Sequence, residues 1–298
     1  MTVEQSLHMR RTQPNMGTGA ILITGCSSGI GKATAIRLNN AGLPVYASAR
    51  KVERLADLAG DGIRTLALDV TDEQSMADAV DAVEAEAGSV AVLINNAGYG
   101  LYGPVEQVPL RDVRQQFETN FFGLVRLIQL VLPGMRRAHS GRIINISSMG
   151  GRTTLPGGAF YHASKHAVEA LSDALRLEVQ RFGIDVVLIE PGPVGTPWND
   201  VAAASVERAD QGADTADAYA AYKAAVVASF AQVNNPLMAR LTSTPEDVAT
   251  VISEAVTAGR PRTRYLINPV GKLAVALKRW LPDRAHDAVL RRCYRLPP

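Results

Sequence analysis

The sequence has only two cysteines in 298 residues, Cys26 and Cys293. So few cysteines exclude a disulfide framework and are typical of a reducing compartment, so we expect a cytoplasmic protein. Neither sign of charge predominates, because 31 Lys and Arg residues face 29 Asp and Glu residues, and no nucleic acid partner is implied. The sequence has no apolar run long enough to span a bilayer. Residues 1–18, a polar N-terminal extension, lack the apolar core of a signal peptide.

Short apolar runs alternate with helical patterns along most of the chain. Helices are predicted at residues 32–40, 71–87, 110–137 and 160–182, and strands at residues 20–23, 43–48, 63–68, 90–94, 142–146, 184–189 and 264–267. Strands that are apolar throughout are typical of a parallel sheet covered on both faces. The sequence therefore predicts an α/β fold with a doubly wound parallel sheet of about seven strands and helices on both faces.

A glycine-rich turn joins the first predicted strand to the first helix. Its residues are Thr24, Gly25, Cys26, Ser27, Ser28, Gly29, Ile30 and Gly31. Glycines allow such a turn to bring backbone N–H groups close to a pyrophosphate, which also faces the positive end of the helix. The turn alone is a weak signal, but the flanking strand and helix favour a dinucleotide site. Cys26 is interpreted as a small residue that fills the turn.

Tyr161 and Lys165 lie four positions apart at the start of a predicted helix, and Ser148 lies thirteen residues before the tyrosine. Helical residues four apart share a face, so the lysine ammonium can lie beside the phenol. A nearby cation lowers the pKa of a tyrosine, which lets the phenol act as acid or base near neutral pH. Ser148 would then hold a substrate oxygen. Taken alone, a Tyr and a Lys four apart are most simply an exposed helix turn.

Further motifs occur in order along the chain. They are Asn95-Asn96-Ala97-Gly98, Asn120, and Pro191-Gly192 followed by Val194 and Thr196. With the glycine turn and the Ser148, Tyr161 and Lys165 set, they resemble the short-chain dehydrogenase/reductase family in its single-domain form. The resemblance implies a Rossmann-type sheet in one domain of residues 19–269, a nicotinamide cofactor, and hydride transfer at a carbon that bears oxygen.

The same resemblance assigns roles to individual residues. It implies a catalytic set of Asn120, Ser148, Tyr161 and Lys165, in which Asn120 supports a proton relay and Lys165 also binds the nicotinamide ribose. The implied cofactor-binding residues are Gly25, Ser27, Ser28, Gly29, Ile30, Gly31, Arg50, Lys51, Asp69, Val70, Asn96, Ala97, Gly98, Tyr161, Lys165, Pro191, Gly192, Val194 and Thr196. The alternative for Asn120 is a structural one, in which its buried side chain bonds a carbonyl of its own helix. The side chains of Asn95 and Asn96, after the fourth strand, can tie neighbouring strands together by bonding backbone groups.

Arg50 and Lys51 follow the second predicted strand, where NAD-binding relatives carry an acidic residue and this sequence has Ala49. The missing carboxylate removes a repulsion against a 2′-phosphate, and a guanidinium can bind that phosphate through two charge-assisted hydrogen bonds. We therefore expect NADP(H) in preference to NAD(H). The alternative is that both cations are solvated charges at a helix start. The resemblance implies that Asp69 contacts the adenine, and it could alternatively be a loop carboxylate or cap the following helix, a role compatible with the first.

His162 and His166 lie four apart on one predicted helix, a spacing that two metal ligands can share. No glutamate follows the first histidine as in a metalloprotease helix, and the sequence offers no evident third ligand. Both histidines also lie about 100° around the helix from the catalytic face. We therefore predict no metal site and interpret them as surface or subunit-contact residues.

Residues 197–243 follow the last family motif and carry an apolar stripe on a predicted helix. The stripe consists of Tyr219, Tyr222, Val226, Phe230 and Val233. The family resemblance places a substrate lid here, which implies a hydrophobic alcohol or carbonyl substrate, although most such stripes are core. The Cys26 turn, the loop of residues 99–104 and Arg50 most resemble the branch of steroid, retinol and lipid-ketone reductases.

Residues 270–298 form a predicted basic helical extension in which Pro282 begins a second helix. Its apolar stripe consists of Leu273, Leu277, Trp280 and Leu281. A basic amphipathic helix can rest on an anionic membrane surface. We favour the alternative, in which the stripe packs on the body or the lid of the protein.

The sequence leaves three functions to compare. We predict an NADP(H)-dependent oxidoreductase, and the alternatives are an NADP-binding regulator without turnover and an epimerase or dehydratase of the wider family. Regulatory relatives generally lack the Tyr or the Lys, and both are present here. The helices of residues 110–137 and 160–182 correspond to those that form the dimer interface in the family, so we expect a homodimer or homotetramer. The first of them carries more apolar side chains than one buried helix face needs, namely Phe121, Leu124, Val125, Leu127 and Ile128.

Overall fold

The computed structural model describes residues 19–209, 217–232 and 241–297, so the N-terminal extension and Val233 lie outside the described residues. The strands are β1 (Ala20–Ile23), β2 (Val45–Ala49), β3 (Arg64–Ala67), β4 (Val90–Asn95), β5 (Gly141–Ile146), β6 (Ile184–Pro191) and β7 (Arg264–Ile267). They form one sheet in the order β3-β2-β1-β4-β5-β6-β7, and every neighbouring pair is parallel. The predicted doubly wound α/β fold is confirmed.

Helices cover both faces of the sheet. They are α1 (Gly29–Asn40), α2 (Ala56–Gly60), α3 (Glu73–Ala87), α4 (Leu110–Phe117), α5 (Gly123–Ala138), α6 (Ala159–Val179), α7 (Trp198–Arg208), α8 (Ala220–Gln232), α9 (Pro245–Thr257), α10 (Pro269–Trp280) and α11 (Asp283–Tyr294). On one face α9 packs against α1, and on the other α3 packs against α5. Within the described ranges, no helix is long and apolar enough to cross a membrane.

The two helical layers explain why the strands are apolar at every position. Along β1, Leu22 belongs to the core cluster shared with α3, α5 and α6, whereas Ile21 and Ile23 belong to the cluster shared with α1 and α9. All three side chains are fully buried. Because each face of the strand meets a helical layer, neither face tolerates a polar side chain without a partner.

The predicted helix of residues 110–137 is not one continuous α-helix. A π turn, Glu118–Phe122, separates α4 from α5 and has Asn120 at its centre. A π turn holds one residue more per turn than an α-helix, and such turns are frequent at functional sites. The apolar periodicity of the sequence does not disclose one extra residue, but the family resemblance implies that the residue at Asn120 distorts the helix, as the π turn does.

Most of the apolar side chains assigned to a subunit interface belong to the core of the single chain. Leu124, Leu127 and Ile128 are buried against the sheet, and Phe121 packs beside them. The prediction was therefore wrong for Leu124, Leu127 and Ile128, whereas Phe121 and Val125 are only half-buried. Two other side chains on the same elements are exposed, namely Phe122 on the π turn at 52% and Leu177 on α6 at 75%.

The predicted lid consists of two described helices, α7 and α8, rather than one. From α8, Tyr222, Val226 and Phe230 pack with Trp198 of α7 in a cluster that includes Tyr161. The apolar stripe therefore faces the candidate catalytic tyrosine.

The C-terminal extension forms α10 and α11, and Pro282 immediately precedes α11. Helix α10 contacts β7 and the short 3₁₀ turn Met149–Gly151, and α11 contacts α8. The extension thus lies against both the body and the lid. Leu273 and Trp280, however, stay exposed at 61% and 77%, so the predicted apolar stripe is covered only in part.

Candidate active site

A cavity of about 760 Å³ opens beyond the carboxyl ends of the strands. Most of the predicted site residues line it, namely Gly25, Ser27, Ser28, Gly29, Ile30, Arg50, Asp69, Val70, Asn96, Ala97, Gly98, Ser148, Tyr161, Lys165, Pro191, Gly192, Val194 and Thr196. Gly31, Lys51 and Asn120 do not line it. Parallel strands end at one edge of the sheet, which is why motifs far apart in sequence meet here.

The glycine turn has a backbone that other residues would strain. Gly25 and Gly29 have φ angles of 73° and 56°, which side chains rarely tolerate. A Cβ on Gly31 would lie 2.4 Å from the Gly25 carbonyl oxygen, so only glycine permits this packing of α1. Helix α1 has no acidic residue in its first turn and Ser28 makes no side-chain cap, so its first N–H groups suit a bound anion.

Cys26 is fully buried in the same turn. Its thiol donates to the Ile23 carbonyl at 3.4 Å, and burial raises the pKa of the thiol to about 12. A protonated, buried thiol is unreactive. These observations support the interpretation of Cys26 as a residue that fills the turn.

The asparagine motif after β4 fastens the glycine turn to the sheet. The Asn96 amide donates to the carbonyls of Thr24 and Gly25 at 2.8 and 3.1 Å. The Thr24 hydroxyl in return accepts the N–H groups of Asn96 and Ala97. The Asn95 amide reaches a side chain on β5, Asn145, at 2.9 Å. The motif therefore ties β1, β4 and β5 together below the cavity.

Tyr161 and Lys165 are not an exposed helix turn, because they are only 8% and 6% exposed and both line the cavity. The Lys165 ammonium donates to the Ile146 carbonyl at 2.8 Å. The Ser148 hydroxyl accepts the Gly150 N–H at 3.0 Å, which fixes its oxygen near the tyrosine. The fold thus brings the serine, tyrosine and lysine to one wall of the cavity.

Burial governs the titration of this group. It raises the pKa of Tyr161 to about 12, although the neighbouring Ser148 hydroxyl acts in the opposite direction. Burial also lowers the pKa of Lys165 to about 8, against an opposing effect of Glu169. The pKa of Tyr161 is therefore higher than that of an ordinary tyrosine, because loss of solvation outweighs the Ser148 hydroxyl, and the lowering effect of Lys165 stays a prediction. The phenol is protonated at neutral pH.

Asn120 lies behind the cavity wall. Its amide donates to the Tyr99 carbonyl at 2.9 Å and to the Ser164 hydroxyl at 3.1 Å, and its Oδ1 accepts the Tyr99 N–H at 3.0 Å. A Cβ on Gly98 would lie 3.1 Å from Asn120 Oδ1 and 3.7 Å from Lys165 Nζ. The side chain therefore holds the loop after β4 against α6, close to the lysine, and it bonds a loop carbonyl rather than a helical one.

The two cations after β2 differ in position. Arg50 lines the cavity, whereas Lys51 is exposed and lies outside it. Asp69 also lines the cavity, and its carboxylate accepts the Thr71 N–H at 2.9 Å. The cap of α3 is Asp72, so the suggestion that Asp69 caps this helix was wrong.

His162 is buried, with only 1% of its surface exposed, so its interpretation as a surface or subunit-contact residue was wrong. Its Nδ1 lies 3.1 Å from the Gly150 carbonyl oxygen. The ring fits between Gly150 and Gly158, where a Cβ would come within 2.4 and 2.5 Å of ring nitrogens. His166 is exposed, and in the part of the chain that the structure describes, no group of three or more His, Cys, Asp or Glu could hold a metal ion.

Five Tyr, Trp or Phe residues line the cavity without having been assigned to the site, namely Tyr99, Tyr102, Trp198, Phe230 and Tyr294. The ring centroids of Tyr102 and Trp198 lie 5.8 and 5.1 Å from that of Tyr161. Trp198 packs directly on Gly100, where a Cβ would lie 2.3 Å from the indole. A glycine at position 100 was therefore the one sign in the sequence that a large side chain packs against this loop. Tyr294 gives no local signal.

Comparison with known proteins decides the family, because residues 19–207 match the family described as short chain dehydrogenase. The chain belongs to the short-chain dehydrogenase/reductase family. A 3-ketodihydrosphingosine reductase of Bacteroides thetaiotaomicron is 39% identical, over 92% of this chain and 97% of that protein. An NADPH-dependent 3-dehydrocapnine reductase of Ornithobacterium rhinotracheale is 35% identical, over 90% and 94%. A short-chain dehydrogenase structure from Streptomyces avermitilis matches with a TM-score of 0.75 and 31% identity, over 94% and 98%.

This short-chain dehydrogenase/reductase is therefore an oxidoreductase that uses a nicotinamide cofactor. The residues present fit that group. The start of α1 suits the pyrophosphate, and Asn96, Gly98, Lys165, Thr196 and Arg50 all line the same cavity. A Cβ on Gly25 would lie 2.9 Å from Ala97 Cα, so glycine is needed there for the turn to approach the loop after β4.

Proposed function

We propose that the protein is an NADP(H)-dependent oxidoreductase that interconverts a hydrophobic carbonyl compound and its alcohol, with Tyr161 as acid and base. The observation that carries the proposal is the buried Tyr161 phenol beside Ser148 in a cavity with apolar walls. The cofactor, when bound, supplies hydride to the carbonyl carbon. Tyr161 gives its proton to the carbonyl oxygen, so that a C–H and an O–H bond form together.

In the reductive direction the proton comes from Tyr161, since a phenol with a pKa of about 12 carries its proton at neutral pH. Ser148 holds the carbonyl oxygen beside the phenol, and Lys165 binds the ribose hydroxyls of the nicotinamide. The side-chain amide of Asn120 already donates hydrogen bonds to Tyr99 and Ser164. Asn120 therefore supports the proton relay through its backbone groups in the π turn.

A lipid-like, retinoid or steroid substrate is supported by the cavity lining. Beyond the catalytic group the wall consists mostly of Met149, Leu155, Trp198, Val201 and Phe230, and burial of apolar surface against such side chains favours a hydrocarbon substrate. The names of the two relatives given above, both reductases, agree with a ketone substrate.

NADP(H) is proposed in preference to NAD(H) because Arg50 lines the cavity at the end of β2 and its neighbours in sequence, Ala49 and Lys51, are not acidic. The neighbouring Ala49 leaves space where a carboxylate would repel a 2′-phosphate. The NADPH dependence named for the Ornithobacterium relative supports the same preference.

Two other functions remain as alternatives. A regulator that binds NADP without turnover needs no buried proton donor, and the intact set of Ser148, Tyr161 and Lys165 argues against it. An epimerase or dehydratase would require a polar pocket for a sugar nucleotide, which disagrees with the apolar walls of this cavity.

The direct test is a panel of hydrophobic ketones, aldehydes and alcohols, followed by the absorbance of NADPH and, in parallel, of NADH. We expect reduction of at least one hydrophobic ketone, faster with NADPH. Tight NADPH binding without oxidation on any carbonyl compound of the panel would favour the regulator instead.

We further propose that the protein is a homodimer or homotetramer formed through α6 and the π turn with α5, since Leu177 on α6 and Phe122 on the π turn are exposed. Light scattering at micromolar concentration should give at least twice the monomer mass. Replacing both residues by glutamate should shift the mass toward the monomer, because charges disfavour burial in an interface. The matched control is Leu273→Glu on the C-terminal extension, and a monomeric wild type would contradict the proposal.

A further inference from the structure

Tyr102 and Tyr294 are two of the three tyrosines that line the cavity besides Tyr161, and the third is Tyr99, whose backbone bonds Asn120. The Tyr102 ring is 6% exposed, and its centroid lies 5.8 Å from that of Tyr161 and 5.0 Å from that of Phe230. Burial raises the pKa of Tyr102 well above its usual value, and the phenols of Tyr161 and Tyr294 both add to this effect. Tyr102 therefore lies close to Tyr161, and Tyr294 lines the same cavity.

The hydroxyls of Tyr102 and Tyr294 form no hydrogen bond to another described residue, since Tyr102 bonds only through its backbone. Burial also raises the pKa of Tyr294 to about 12. The hydroxyls of the two tyrosines of the lid, Tyr219 and Tyr222, do have hydrogen-bond partners. The Tyr222 hydroxyl accepts a backbone N–H at 2.7 Å, and the Tyr219 hydroxyl donates to Glu106 at 2.7 Å. The hydroxyls of Tyr102 and Tyr294 belong to side chains that line the cavity, so they can bond a polar group from outside the chain.

The charged side chains that line the cavity limit which polar group of a ligand can bind beside Tyr102 and Tyr294. Among the described residues of the lining, the charged side chains are Arg50, Asp69 and Lys165. Arg50 and Asp69 follow β2 and β3, and the Lys165 ammonium is bonded to a backbone carbonyl. A carboxylate or ammonium buried beside the tyrosines would lack a counter-ion. A hydroxyl both donates and accepts, as a phenol does, and so matches the pair.

We propose that Tyr102 and Tyr294 form a subsite for a hydroxyl group that the substrate carries a few bonds from its carbonyl carbon. The inference rests on the proposed function, in which Ser148 and Tyr161 hold the carbonyl. The substrate is then a hydroxyketone with a hydrocarbon chain rather than a plain ketone. The C-terminal extension gains a role as well, because α11 ends at Tyr294 and, by its contact with α8, holds this residue in the cavity wall.

The test compares aliphatic ketones of equal chain length, without a hydroxyl or with one placed one to three carbons from the carbonyl. Full-length wild type with NADPH should prefer a hydroxyketone. Tyr102→Phe and Tyr294→Phe should each raise KM for that compound about 3- to 10-fold, the effect of one neutral hydrogen bond. The kcat and the kinetics of the plain ketone should change little, because the lost contact is uniform binding. Tyr219→Phe, whose hydroxyl points to Glu106, is the matched control.

The outcomes separate the subsite from the proposed function. Equal losses on both kinds of ketone, or a wild type without preference for any hydroxyketone, would overturn the subsite and leave the reductase assignment in place. A wild type that binds NADPH and reduces no ketone would overturn the function and the subsite together. A fluorescence titration with NADPH verifies that each variant is folded, since neither tyrosine is assigned to cofactor binding.

Discussion

Replacing Tyr161 by phenylalanine is expected to lower turnover by about 10²- to 10⁴-fold, the range for a general acid or base. In the proposed reduction the phenol proton moves to the substrate oxygen, and phenylalanine has no proton to give. The ring itself is retained, so its packing against Tyr102 and Trp198 should persist. The measurement is NADPH oxidation with an active ketone from the panel, together with a fluorescence titration of NADPH binding, which should stay near wild type.

The matched control for this prediction is again Tyr219→Phe, which makes the same chemical change at the lid surface. That variant should keep wild-type turnover, because the Tyr219 hydroxyl bonds Glu106 outside the cavity lining. Near-normal turnover of Tyr161→Phe would contradict its role as the acid. A parallel loss of NADPH binding would instead indicate damage to the cofactor site.

Features that depend on neighbouring residues in sequence were predictable. The run Ile21 to Ile23 is apolar at each position because two helical layers cover β1, and the glycine turn follows at once because α1 must approach the strand closely. As expected, Arg50, Ser148 and Thr196 lie together at the edge of the sheet where the strands end, because a parallel sheet has all its carboxyl ends at one edge.

Features that depend on which distant segments meet were not predictable. A helical wheel places His162 beside the catalytic face, but only the glycines at 150 and 158 make room for its ring inside the protein. Tyr294 lines the cavity because α11 packs on the lid, and no local pattern specifies that contact. The raised pKa of Tyr161 has the same origin, because desolvation depends on everything that surrounds the phenol.

Replacing Arg50 by alanine is expected to weaken NADPH binding about ten- to hundred-fold and to change NADH binding little. Arg50 lies at the end of β2 in the cavity wall, and only NADPH carries the 2′-phosphate that its guanidinium would bind. A hydrogen bond to a charged group contributes about 1.5–3 kcal/mol, which corresponds to this range. The measurement is a pair of fluorescence titrations, one with each cofactor, on wild type and variant.

The control for the lost charge is Arg54→Ala, since Arg54 is exposed and lies outside the cavity lining. It removes the same charge a few residues further along the chain and should leave both affinities unchanged, so a general electrostatic effect would appear in it as well. Ala49→Asp gives the complementary test, because a carboxylate at the end of β2 repels the 2′-phosphate and can accept a hydrogen bond from the ribose 2′-hydroxyl of NADH. We expect it to move the preference toward NADH. Equal weakening of both cofactors by Arg50→Ala would mean that the guanidinium does not distinguish them, and the proposed preference for NADP(H) would then lose its structural basis.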